Sequence, residues 1–112
     1  YQGRHYVRAK NACRRLETEF ESALAEADVL VTPTLPTVAL ELGEWSADGY
    51  GENVPLAINT RPINLVKLPA VTLPAGTHDG LPVGLQCIGS AVEDVSTLAI
   101  ARTFERALET TS

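Results

Sequence analysis

Residues Asn59–Gly89 read NTRPINLVKLPAVTLPAGTHDGLPVGLQCIG, and this stretch decides the fold. Two short apolar runs, Val71-Thr72-Leu73 and Val83 to Ile88, flank Gly76-Thr77-His78-Asp79-Gly80. β-Prone runs bounded by Gly and Pro, with an Asp-Gly step between them, predict strand, turn, strand. Neither run alternates cleanly between apolar and polar residues. The pattern therefore predicts an interior sheet covered by helices on both faces. No nucleophile stands beside a base anywhere in the stretch.

Just upstream, Leu56 to Leu68 carries Asn59, Thr60, Arg61, Pro62 and Asn64. Pro62 suits the first turn of a short helix with Thr60 as N-cap, and Pro69 is expected to stop it. Arg61 either faces a carboxylate or is solvated, and the sequence favours the second. Downstream, Glu93 to Leu108 predicts an amphipathic helix with Leu98, Ala101, Phe104 and Leu108 on one face. Ser90 or the Glu93-Asp94 pair suits its N-terminus. Thr110-Thr111-Ser112 is expected to fray.

At the other end, residues 4–27 predict one long amphipathic helix. Ala9, Cys13, Leu16, Phe20, Ala23, Leu24 and Ala27 recur at steps of three and four, with Tyr6 at the stripe's edge. Arg4, Arg8, Lys10, Arg14 and Arg15 crowd its first half; Glu17, Glu19, Glu21 and Glu26 crowd its second. That order opposes the helix dipole, so the helix must be held by packing or by contacts at its ends. The arginines are either an anion site or, more simply, a solvated face. Asp28 then leads into Val29 to Thr32, a β-branched run ended by Pro33. Residues 38–55 read as irregular, with Trp45 and Tyr50 inside; such a loop lines a site or is a surface excursion. The order helix, strand, loop, short helix, strand, strand, helix makes the class α/β. Three strands are thin for a free-standing sheet, because open edges remain.

The chain has 112 residues, one domain at most. It contains no Met, which leads us to expect a piece of a longer protein. A net charge of −5 gives no electrostatic footprint for nucleic acid. No apolar run reaches membrane-spanning length, and no signal peptide pattern opens the chain. Cys13 and Cys87 read as free thiols buried like small hydrophobes, which makes a reducing cytoplasmic location the default.

A search for chemistry in the residues finds little. His5, His78, Cys13 and Cys87 are scattered and match no metal-ligand spacing. No phosphate-binding glycine loop is present. Ser22, Ser46, Ser90, Ser96 and Ser112 stand in no nucleophile motif. Asp48 and Glu52 are either an acid/base pair or, more simply, two solvated acids.

The motifs nevertheless resemble a known family. Asn64 to Ala70 (with Lys67 where Gly is usual), Pro74-Ala75-Gly76 and Gly80 to Gln86 resemble successive steps in the C-terminal core of the amidase signature family. Asp28 to Thr34 is similar to that family's strand and Pro-Thr corner, and the opening helix with Tyr6, Ala9 and Arg14 to the helix before it. The resemblance implies an α/β fold, the C-terminal part of a mixed sheet covered by helices on both faces. It implies that residues 1–112 are one segment of a single larger amidase domain and are not autonomous, with roughly 300 or more residues upstream.

The function it implies is cleavage of carboxamide C–N bonds through a Ser-Ser-Lys acyl-enzyme mechanism. All three catalytic residues would lie upstream. Lys10 and Lys67 are the chain's two lysines and stand in no such motif, so no catalytic residue is assigned. Ala57 and Thr60 are the implied substrate-binding residues. In glutamine-dependent tRNA amidotransferase subunits an Asp matches the position of Ala57 and holds the glutamine, whereas Thr60, Pro62 and Asn64-Leu65 match here. No cofactor and no metal are expected. The expected partners are a small-molecule amide, the remainder of the amidase chain and, as an option, a second copy in a homodimer. The alternatives are an amidase-like subunit of a tRNA-dependent amidotransferase complex, a non-catalytic degenerate amidase-like protein, or an autonomous small binding domain.

Overall fold

A computed structural model describes residues 2–41 and 56–111. The elements run α1 (Gln2–Glu26), β1 (Leu30–Pro33), α2 (Arg61–Val66), β2 (Ala70–His78), β3 (Leu81–Ile88) and α3 (Asp94–Thr111). The α/β class and the element order match the sequence reading. Positions 42–55 of the expected loop, with Trp45, Asp48, Tyr50 and Glu52, lie outside the described residues.

The three strands form one antiparallel sheet in the order β1-β3-β2. Strand β3 is in the middle, and Gln86, Cys87 and Ile88 pair on both sides, with Thr32, Val31 and Leu30 and with Thr72, Val71 and Ala70. All three are buried, which explains why this run does not alternate in sequence. Strand β2 behaves differently. Val71 and Ala75 are half-buried and Leu73 buried, while Ala70, Thr72 and Pro74 between them are exposed. Its buried face carries α3, which packs chiefly on β2. Leu73, Cys87 and Ala101 form the core cluster, with Val71, Leu85, Phe104 and Leu108 packed against it.

The hairpin is longer and its turn tighter than expected. The strands continue to His78 and Leu81, so the loop is two residues, Asp79-Gly80. Both have positive φ, 52° and 79°, as a primed hairpin turn requires. Gly76, the expected start of the turn, has φ 103° and lies in a register shift between Pro74 and Thr77. It accommodates a bulge rather than the turn.

Helix α2 has Thr60 at its N-cap position and a Pro in its first turn, as the sequence predicts, but Thr60 makes no side-chain cap. It ends before Pro69. Lys67 takes a left-handed conformation, φ 56° and ψ 42°, and its N–H closes back on Ile63 O. Helix α1 packs against α2. Cys13, Leu16, Phe20, Ala23 and Leu24 of its stripe are half-buried, whereas Ala9 and Ala27 are exposed. The helix has no acid in its first turn and no base in its last, so packing of its second half supports it.

Helix α3 is rotated relative to its expected face. Leu98 is 57% exposed, and Thr97, at 1%, takes the inward place with Ala101. Thr97 Oγ1 donates to Glu93 O at 2.7 Å, which satisfies the buried hydroxyl. Both cysteines are free; Cys87 is fully buried and Cys13 half-buried.

Candidate functional site

The turn entering α2 is where the chain brings its polar, uncharged groups together. Ala57 O accepts from Thr60 N at 3.2 Å and from Arg61 N at 2.9 Å, which folds residues 57–61 into a closed turn. Thr60 Oγ1 lies 3.5 Å from the same carbonyl. Ala57, Asn59 and Thr60 are half-buried, and Arg61 is exposed. Thr60 O accepts from Ile63 N and Asn64 N, which carries the turn directly into the helix.

The sheet holds this turn through a residue that the sequence reading treated only as part of a motif. Gln86 is 4% exposed. Its Nε2 donates to Asn59 O at 2.9 Å and to Thr32 Oγ1 at 3.0 Å. A carbonyl oxygen only accepts, so the contact with Asn59 requires the NH2 end of the amide to face it. One side chain in the middle strand thus joins β1 to the turn. The signal available in sequence was a polar amide in a run otherwise filled by Leu85, Cys87 and Ile88.

The two expected substrate-binding residues, Ala57 and Thr60, therefore lie in one turn, three positions apart and closed by backbone hydrogen bonds. Ala57 and Thr60 carry no charge. A hydroxyl that donates to a carbonyl keeps lone pairs able to accept from an N–H. The Ala57 and Thr60 side chains themselves offer a methyl and a hydroxyl and no carboxylate.

A concavity of about 770 Å³ lies between residues 33–39 and the hairpin. Thr34, Thr72 and Gly84 meet at its floor, where Thr34 Oγ1 donates to Thr72 Oγ1 at 3.3 Å. A Cβ on Gly84 would stand 3.0 Å from Thr72 Cγ2 and 3.1 Å from Thr34 Oγ1. Glycine allows the Pro-Thr corner to close on the sheet, with Thr34 N donating to Gly84 O at 3.0 Å.

The remaining candidates do not converge. His78 and Asp79 form an exposed pair at the hairpin tip, 3.5 Å apart. Lys10 lies over the Tyr6 ring on exposed α1, 5.4 Å from its centre. Among the described residues no three His, Cys, Asp or Glu side chains come together as a metal site would need, and no helix is long and apolar enough to cross a membrane.

This antiparallel sheet, with α3 across it and a turn anchored on its middle strand by Gln86, is a segment of the amidase-signature fold. Residues 1–98 match the sequence profile of the family described as Amidase, and the chain belongs to that family. It is 36% identical over 106 residues to the A subunit of glutamyl-tRNA(Gln) amidotransferase from Methanococcoides burtonii, a match that covers 95% of this chain and 22% of that protein. The corresponding protein of Dehalococcoides mccartyi is 41% identical over 105 residues, covering 94% of this chain and 21% of the relative. Among solved structures, the same amidotransferase component from Thermotoga maritima superposes with a TM-score of 0.74 at 31% identity, over 87% of this chain and 21% of that one. A crystal structure of an amidase gives a TM-score of 0.75 at 32% identity, over 88% and 24%. The chain thus spans about a fifth of the length of the curated relatives it matches.

Proposed function

We propose that this chain is the C-terminal segment of a single amidase domain and supplies one wall of the pocket for the amide substrate. The whole protein cleaves carboxamide C–N bonds. A serine outside this segment attacks the carbonyl carbon, a lysine takes its proton through a second serine, and ammonia or an amine leaves before water releases the acid. Residues 1–112 hold none of these groups and by themselves turn over no amide.

The observation that supports a general carboxamide over glutamine is Ala57. Its methyl stands where the resemblance puts a carboxylate in glutamine-using relatives. An α-ammonium group brought against Ala57 would lose water without gaining a charge partner from that side chain. The second reading is a component of an amidotransferase, which the names of the curated relatives favour. The test is ammonia release by the full-length protein from propionamide, benzamide and glutamine. Turnover of the plain amides with little from glutamine is expected. Glutamine turnover alone, dependent on added partner proteins, would establish the second reading instead.

A further inference from the structure

We propose that Gln86 is a positioning residue for the substrate, which sets the Ala57–Thr60 turn against the sheet through its bond to Asn59 O. The inference rests on the reading of that turn as a substrate wall and adds a residue that does not itself touch substrate.

The burial of Gln86 needs an explanation. It sits in the middle strand at 4% exposure, with Cys87 at 0% and Ile88 at 1% beside it. A buried amide costs free energy unless its hydrogen bonds are made. A leucine or methionine would fill similar space without that cost. What the amide adds is two donated bonds, to Asn59 O at 2.9 Å and Thr32 Oγ1 at 3.0 Å. Thr32 pairs with Gln86 across the ladder, so β1 and β3 are already registered by their backbones. The bond to Asn59 is different in kind. The turn's own bonds, from Thr60 N and Arg61 N to Ala57 O, are local and fix its shape, not its distance from the sheet. The Gln86 bond spans 27 positions of sequence and reaches Asn59, next to Thr60 in the turn. Site geometry has to hold within roughly 0.5 Å for productive binding, and a tie of this kind supplies such restraint.

The effect falls on binding of the acyl group, not on the chemical step. The experiment measures KM and kcat of the full-length enzyme on unbranched carboxamides of increasing acyl length, with Q86M, Q86E and T32V. Methionine keeps the volume and removes both donors. For Q86M, KM for the longest amides is expected to rise by about tenfold, as loss of one well-made hydrogen bond implies, with kcat within about twofold and acetamide unaffected. Q86E places a carboxylate against the Asn59 carbonyl; its KM should fall as pH is lowered and the protonated acid regains a donor. T32V leaves the Asn59 bond in place and should stay within about twofold of the native enzyme. Equal losses across all acyl lengths, or a pH-independent Q86E, would overturn the inference. A57L separates this failure from failure of the wall reading. If A57L alters acyl-length preference while Q86M does not, only the positioning role falls. If A57L leaves the preference unchanged, the wall reading falls and the positioning role with it.

Discussion

The hydroxyl of Thr97 fills the space in which a Cβ on Gly89 would stand. From that ideal Cβ position, Thr97 Cβ and Cγ2 are also only 3.0 and 3.2 Å away. Gly89 N donates to Pro69 O at 2.9 Å, so the backbone cannot easily withdraw. The first turn of α3 therefore rests directly on the end of the middle strand, and the missing side chain at position 89 is what allows it.

Gly89→Ala should force α3 away from β3 and cost about 1–3 kcal/mol of stability, the usual range for overpacking. Thr97→Ala removes the overlapping hydroxyl and Cγ2 while leaving Cβ, so it should recover part of that loss. A double-mutant cycle by urea unfolding measures the coupling. Additive losses would mean that the two residues do not meet.

Lys67 ends α2 in a left-handed conformation, φ 56°. A side chain at such a position is strained relative to glycine by about 1 kcal/mol. Lys67 also stands where the family pattern usually has Gly. Lys67→Gly should therefore raise stability by about 0.5–1 kcal/mol despite the greater entropy of the unfolded chain. A fall in the unfolding midpoint would show instead that the lysine side chain has a stabilising contact.

Burial pushes the Cys87 thiol above its ordinary value of 9.0. The folded state thus keeps the proton where the unfolded chain releases it. The resulting stability is fully present below pH 9.0 and falls as pH rises from there through the folded-state value. Unfolding free energies measured between about pH 8 and about pH 10 should show this decline. Cys87→Ala should be less stable at the lower pH, through its cavity, and should show a shallower decline. An equal slope in both proteins would remove Cys87 as its source.

Much of this architecture was legible in sequence, and the departures have local causes. β-Prone apolar runs bounded by Gly and Pro placed the three strands, a 3.6-residue period placed the two long helices, and Thr60, Pro62 and Pro69 placed the short one, all in their observed order. Asp79-Gly80 was visible as a turn, but Gly76 drew the turn wider than it is, because a glycine serves a bulge as readily as a turn. On α3, hydropathy selected Leu98 as the inward residue. Thr97-Ala101-Phe104-Leu108 has equally good helical spacing, and Thr97 goes inward because Glu93 O satisfies its hydroxyl and Gly89 makes room. At the candidate site, Ala57 and Thr60 were reached through the family resemblance and do lie in one closed turn. Gln86 was missed as a positioning group, since its bond to Asn59 joins positions far apart in sequence and leaves no periodic trace.

Central to the proposed function is that Ala57 forms part of a substrate wall and directs the whole protein to carboxamides without an ammonium group. The most direct measurement is kcat/KM for glutamine relative to propionamide in the full-length protein and its Ala57→Asp variant. A carboxylate at position 57 is predicted to raise that ratio by tenfold or more, on the order of a well-placed charge-assisted hydrogen bond. An unchanged ratio in a folded variant that still hydrolyses propionamide would contradict the account.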